Sequence, residues 1–358
     1  MERRRRGCAE KLIIGGAATK RPTDWKGFLY NDDNKIQLVR LLLKLWSSDE
    51  YAKRLYGREV ILICEGFAYL LTSHDGITTN TTEIFMLHST QEETDSRVVL
   101  YSIYAATNGY PNVRVKSPDS DIFFILLHHA SDIYAKLLFD TKIGNKPRLV
   151  DISYLAKEFG QEKCTALLGL HGFSGCDTTS AFRGKGKITP LKKLLKFPRF
   201  IPVFGKLGEV WEVTDELLEG LNKFTAVLYG MKGVNVSVDE ARYAFINRMC
   251  MKEGQRKNVD MTSLPPCKRT LEQHVRRSNY QVAIWRRGHS PTPDIPAVHN
   301  EHGWKMGEMG LQPHWFEGLS QPENLVDVAV DNSESDDSDS DGFVNDSESE
   351  YEYDTDSD

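Results

Sequence analysis

Long apolar runs are missing from this 358-residue chain. No stretch approaches the ~18 apolar residues that a membrane-spanning helix needs, so no membrane span is expected. Cysteine is scarce: Cys8, Cys64, Cys164, Cys176, Cys250 and Cys267 include no Cys-x-x-Cys pair, which argues against a zinc ribbon or a dithiol redox motif. Several lie in apolar runs, as buried free thiols do, and we read a reducing, intracellular compartment, nuclear or cytoplasmic. The opening MERRRRGCAEKL has no apolar core of a secretory signal, so secretion is not expected. Arg3 to Arg6 suit a nuclear-import signal, and equally an exposed helix start or a phosphate contact. Internal repeats, a nucleophile triad and a nucleotide-binding glycine fingerprint are all absent. The spacings of His289, His299, His302 and His314 fit no zinc site.

What is present is segregated. Residues 331–358 hold thirteen Asp or Glu and no Lys or Arg. The 45 Lys and Arg all fall in residues 1–330, against the remaining 38 acids, a net of +7 for the body. A basic body favours a polyanion partner. The Ser/Asp/Glu-rich stretch from about 328 has too little apolar surface to build a core and is expected to be disordered.

Apolar spacing predicts a helix over 34–46, capped by Asp32 or Asp33. The run EVILIC at 59–64 is β-branched and too short for an independent helix, which suits a strand buried on both faces. A helix over 92–107 should close at Asn108-Gly109. A strand over 112–116 follows, then the buried segment DIFFILLH at 121–128. Segments 135–141 and 147–152 flank Gly144-Asn145 as a hairpin. Helices are expected over 152–159, 161–173 and 188–196. Mostly helical patterns run from 210 to about 287, and irregular chain fills 288–325. The alternation implies an α/β fold with a parallel-sheet core.

Three acidic clusters sit at the edges of these apolar segments, where bare negative charge is costly to bury. They are Glu93 and Asp95 in QEETDSRVVL, Asp119 and Asp121 in SPDSDIFFILL, and Asp177 in GFSGCDTTSAF. Converging carboxylates without basic partners suit Mg²⁺ or Mn²⁺, and two such ions serve phosphodiester hydrolysis. Ordinary roles compete. Thr90 to Glu93 fits a capping box, 117–121 an Asp/Ser turn, and Asp177 a helix end. Position weighs the other way for Asp119 and Asp121, since chain leaving a parallel strand is where α/β proteins bind ligands. After Asp177 comes Arg183-Gly184-Lys185-Gly186-Lys187, then Lys192, Lys193 and Lys196. Glycines let backbone amides approach a phosphate, and a following helix N-terminus favours the anion.

In order, these segments resemble the flap-endonuclease-like (XPG-type) branch of the PIN-fold nucleases. An acidic pair opens a helix (Glu93-Thr94-Asp95). A strand leads to D-x-D (Asp119-Ser120-Asp121). A hairpin and two helices then lead to Gly175-Cys176-Asp177 and the glycine-rich basic turn. The likeness covers about residues 88–200. With LPPCKRTLEQHVRRSNYQ included, the whole chain looks like a large group of animal proteins built on that core. The resemblance implies a PIN-like three-layer parallel-sheet core. It gives Asp119, Asp121 and Asp177 as ligands of one Mg²⁺ or Mn²⁺, and Glu93 and Asp95 as ligands of another. It implies hydrolysis leaving a 5′-phosphate and a 3′-hydroxyl. Nucleic acid, DNA or RNA, would lie against Arg183, Gly184, Lys185, Gly186, Lys187, Lys192 and Lys193.

The family also uses two further acids from strands that precede a basic helix, and here the chain opens on the basic segment. Impaired catalysis is therefore expected, with Glu65 as a candidate replacement. The other reading is a non-catalytic module that binds nucleic acid or protein. The expected organisation is a basic, helical segment over 1–58, the nuclease-like core over 59–200, a helical then irregular region over 201–327, and the acidic tail over 328–358.

Overall fold

The structure is a computed structural model that describes residues 11–144, 146–232, 235–252, 263–299, 301–308 and 310–316. The run from Arg3 to Arg6, the turn residue Asn145 and the acidic tail lie outside the described residues.

The chain opens with α1 (Trp25–Leu29), α2 (Asp32–Trp46) and α3 (Ala52–Leu55). Asn31 caps α2, its side chain accepting from the Asn34 amide, while Asp32 and Asp33 occupy the first turn. The cap thus falls one residue earlier than expected, and the two acids complement the helix dipole instead. Three antiparallel strands follow: β1 (Val60–Cys64), β2 (Phe67–Thr72) and β3 (Asn80–Glu83), in the order β1-β2-β3. Cys64 pairs with Phe67 across a two-residue turn. Its residues Glu65 and Gly66 both have positive φ, 53° and 96°, which matches the twist of a tight hairpin.

The strand at 60–64 is therefore real, but it is not buried on both faces. Ile61 is 37% exposed, because this sheet is a meander with one face on the protein. Ala68 and Leu87 form a small cluster with Leu100 of α4 (Thr94–Thr107), flanked by Ile63, Ile84, Tyr101 and Tyr104.

The second sheet positions the acids. It is built from β4 (Asn112–Lys116), β5 (Lys136–Ile143) and β6 (Lys146–Asp151), in the order β4-β5-β6. β4 and β5 are parallel, joined through α5 (Ser120–His128), and β5 and β6 form the expected antiparallel hairpin. The architecture is mixed α/β, but among the described residues parallel pairing is confined to β4 and β5 and an isolated bridge between Tyr56 and Ser73. Gly109 ends α4 at φ 85° and Gly144 opens the hairpin turn at φ 56°, conformations glycine adopts without steric cost.

Asp151 caps α6 (Ile152–Phe159), accepting from the Tyr154 amide at 2.9 Å. α7 (Gln161–Phe173) is buried along most of its second half. Then come α8 (Ile188–Lys196), α9 (Ile201–Lys206), α10 (Asp215–Leu228), α11 (Val238–Lys252) and α12 (Lys268–Arg286). A small hairpin, β7 (Trp304–Gly307) and β8 (Gly310–Pro313), lies where irregular chain was expected.

One hydrophobic cluster runs from Val99 through Ile125, Leu168, Phe173, Phe204 and Phe224 to Val282 and Trp285. It crosses the boundary expected near residue 200, so α9, α10 and α12 share a core with the α4-to-α8 segment. Close approach is set by glycine. A Cβ on Gly172 would stand 2.5 Å from Val282 Cγ2, and one on Gly208 would stand 2.5 Å from the Ala283 nitrogen. Both would press α12 outward.

Arginines at and just after α12 turn to backbone carbonyls. Arg277 is 3% exposed and donates to the carbonyls of Gly303 and His314. Arg286 donates to Gly205 and Leu207, and Arg287 to Gly208 and Ala283. These guanidiniums are thus spent on main-chain carbonyls rather than presented to solvent. No helix among the described residues is long and apolar enough to cross a membrane.

Candidate functional site

Each acidic cluster is placed by a different element. Glu93 is the residue preceding α4, but its side chain does not cap the helix, so the capping-box role is not the one it plays. Its carboxylate instead accepts from Gln281 Nε2 on α12, at 3.3 and 3.0 Å, and the nearby Trp285 indole favours its ionised form. Asp95 stands in the first turn of the same helix. The chain leaving β4 delivers Asp119, which does cap α5: its Oδ1 accepts from the Asp121 amide at 2.9 Å. Asp121 is 9% exposed and its Oδ1 lies 2.8 Å from His171 Nε2 on α7. Asp177 is exposed, four residues past the end of α7.

The five charges are electrostatically connected. Burial is the main cause pushing the Glu93 carboxyl up to about 7; the Gln281 hydrogen bond opposes it, and the charges of Asp95 and Asp121 add to it. Burial also raises Asp119, opposed by the Asp121 amide and reinforced by the charges of Asp121 and Asp177. Asp121 is the common neighbour: its charge acts on both Glu93 and Asp119, and that of Asp177 acts on Asp119.

Two cationic or titratable neighbours were underweighted in the sequence. His171 is 3% exposed and stacks on Phe124, ring centroids 4.2 Å apart. Its bond to the Asp121 carboxylate requires a proton on Nε2. Its buried Nδ1 has no hydrogen-bond partner among the described residues. Burial holds His171 below its ordinary value, which keeps the ring neutral near pH 7. Lys187, expected to face nucleic acid, turns its ammonium inward to the carbonyls of His171 (2.6 Å) and Gly175 and to Ser174 Oγ (3.2 Å). Burial lowers it to about 8, against the pull of Cys176 and Asp121. No local signal separates this lysine from its neighbours, because its partners are carbonyls at the end of α7.

The rest of the basic turn stays outward. Arg183, Gly184 and Gly186 are exposed, and Lys185 Nζ lies 5.2 Å over the Tyr229 ring. Gly184 needs its left-handed φ of 68°, whereas Gly186 has open space around it and no such φ. Lys192 is exposed and Lys193 half-buried on α8, a helix with no side-chain cap and no acid in its first turn. Glu65 does not join the acidic set. It pairs with Arg40 through two bonds of 2.7 Å at the tip of the β1-β2 turn. Glu65→Gln is therefore expected to leave divalent-cation affinity unchanged, a result that calorimetric titration with Mn²⁺ would check.

The donor set fits a hard divalent cation in its chemistry: all five are carboxylates, and burial, with a smaller contribution from neighbouring acids, disfavours the bare charge on Glu93 and Asp119 that a cation would neutralise. Their spacing is looser. Among the described residues no three His, Cys, Asp or Glu side chains are grouped closely enough to hold a metal ion as they stand. Comparison of the chain with family models, curated proteins and solved structures finds no match.

Proposed function

We propose that this chain is a nuclease-like protein of the PIN, flap-endonuclease-like type. In this reading its acidic site takes up Mg²⁺ or Mn²⁺ weakly, and the protein binds nucleic acid with little or no cleavage. The observation that carries this reading is the linkage of three separate acidic segments: Gln281 joins Glu93 to Thr178, the neighbour of Asp177, and the Asp121 charge acts on both Glu93 and Asp119. Such a set of hard oxygen donors would hold the cation, which supplies charge stabilisation at a phosphodiester. The chain's own residues do the rest. His171 fixes the orientation of Asp121, and Lys187 adds positive charge beside the acids. The exposed Arg183 and Lys192 and the half-buried Lys185 and Lys193 offer phosphate contacts along one basic turn and helix.

Weak uptake follows from the internal partners. Asp119 and Asp121 are already hydrogen-bonded within the protein, and burial favours the protonated form of Glu93. A cation must displace those interactions. The same partners favour a second reading, in which the acids brace a non-catalytic interaction module. Mn²⁺ titration of the full chain and of Asp119→Ala, with flap and hairpin substrates assayed alongside, separates the two. Uptake by the parent, lost in the variant, with little cleavage, is the expected outcome. No uptake would leave the interaction module. Robust cleavage abolished by Asp119→Ala would make the chain a competent nuclease.

The acidic tail gives this reading a further consequence. A net charge of −13 in residues 331–358, tethered to a basic body, competes with nucleic acid at high effective concentration. Ser333, Ser338, Ser347 and Ser349 each precede an acid by three positions, the pattern of acidophilic phosphorylation, which adds about −1.5 to −2 per site. Deleting 331–358 is expected to tighten binding of a short duplex about tenfold at low salt and less at moderate salt. Equal affinities at both salts would show that the tail does not screen the body.

A further inference from the structure

Gln281 lies on α12, 188 residues beyond Glu93, and is 1% exposed. Both ends of its amide are committed. Nε2 donates to the two Glu93 oxygens at 3.3 and 3.0 Å, and Oε1 accepts from Thr178 Oγ1 at 2.7 Å. Thr178 directly follows Asp177. One side chain therefore joins the segment carrying Glu93 and Asp95 to the segment carrying Asp177. Few side chains can do so. The donor end must face an acceptor-only carboxylate while the other end takes a hydroxyl proton, and an amide of this length meets both needs. A leucine could meet neither, and a glutamate would repel Glu93.

The helix is held in place for this role. Trp285, one turn on, is buried and its ring lies 6.0 Å from the His171 ring. Gly172 leaves the space that lets α12 lie against α7. Ahead of the acids, Gln91 Nε2 donates to the carbonyls of Gly288 and Ser290, and the Thr90 amide to Pro291. The chain just after α12 thereby pins the chain just before Glu93.

We propose that Gln281 is a positioning residue of the acidic site, fixing the Glu93 carboxylate against the Asp177 segment. The proposal rests on the reading of those acids as a divalent-cation site. Residues that orient metal ligands typically change affinity by about 10–100-fold when removed.

The test is Mn²⁺ affinity of the full chain, read from the electron paramagnetic resonance signal of free Mn²⁺. The proteins are the parent, Gln281→Leu, Glu93→Gln, the double variant and Asp119→Ala. Gln281→Leu is expected to weaken affinity about tenfold with unchanged far-ultraviolet circular dichroism. In the Glu93→Gln background the same change should cost less than about twofold, because the effect acts through Glu93. Thr178→Val, which deletes only the hydroxyl, should weaken affinity in the same direction by less. It takes the place of Gln281→Leu in the cycle if the leucine variant does not fold. An unchanged affinity in Gln281→Leu, or an equal loss with and without Glu93, overturns the positioning role. A parent that takes up no Mn²⁺ overturns the cation-site reading and this proposal with it. Parent uptake that is lost in Asp119→Ala but untouched in Gln281→Leu overturns the positioning role alone.

Discussion

Glu93→Gln is expected to be more stable than the parent at pH 8.5 in the presence of a chelator, by about 3 kcal/mol, and to lose that advantage below about pH 5. The sign follows from the direction of the shift. The folded protein raises the Glu93 carboxyl from 4.5 to about 7, so the neutral acid is the form the fold prefers. Below 4.5 both states carry the proton and the residue costs nothing. As pH rises from there through about 7, the unfolded chain ionises first and stability is lost. Above 7 the folded state holds a poorly solvated charge. Glutamine keeps the shape and still accepts from Gln281, but never ionises. Asp119 is raised as well and deepens the alkaline loss in both proteins.

Two buried histidines shape the acid limb. Burial lowers His128 to about 3 and His274 to about 4. Their stabilisation is present above 6.5 and lost as pH falls through that value toward the folded ones. Both are common to parent and variant, so the difference between the two proteins isolates Glu93. Urea unfolding at pH 5, 7 and 8.5 measures it. A variant that is less stable than the parent at pH 8.5 would mean that Gln281 and Trp285 stabilise the ionised carboxylate more than burial opposes it. Adding Mn²⁺ at pH 8.5 should narrow the gap by stabilising the parent more than the variant.

Gly169→Ala is expected to cost about 3 kcal/mol, whereas Gly186→Ala should change stability by less than about 0.5 kcal/mol. The methyl at 169 would be built 2.3 Å from the Phe204 carbonyl oxygen and 3.3 Å from Leu207 Cβ. A backbone oxygen in α9 cannot rotate away, so α7 and α9 must part. Phe204 and Leu207, both 0% exposed, would lose contacts as they did. At 186 nothing lies within 4 Å and φ is not in the left-handed region. Thermal unfolding of the two variants measures the contrast. Similar losses at both positions would show that the basic turn is as tightly determined as the α7-α9 contact.

Much of the secondary structure was legible because it is locally encoded. The strand at 112–116, the helices at 152–159, 161–173 and 188–196, and the turn after α4 all fall where apolar patterning and Asn108-Gly109 place them. The acidic clusters stood out for the same reason: each interrupts an apolar segment. What could not be read depends on partners far along the chain. The run VILIC reads alike in a central strand and in a meander, and only the β2 partner decides. Thr90 to Glu93 spells a capping box, yet Gln281 offered Glu93 a better acceptor role. Arg277 and Arg286 look like surface charge until β7, β8 and α9 supply carbonyls for them. His171 gave no spacing signal, since its acceptor Asp121 is fifty residues earlier.

The bridge from Glu93 to Gln281 also bears on the order in which the protein is made. The five acids lie in the first half of the chain, and the residues that brace Glu93 lie near 280. During synthesis at roughly 5–20 residues per second, the acid-bearing segments leave the ribosome many seconds before α12 exists to lie across α7. Until then Val282 and Trp285 are missing from the core, and the chain ahead of Glu93 has no Gly288 or Ser290 carbonyl to hold it. The acidic site is therefore among the last features to be completed, and a nascent or prematurely ended chain carries all of its acids without their arrangement.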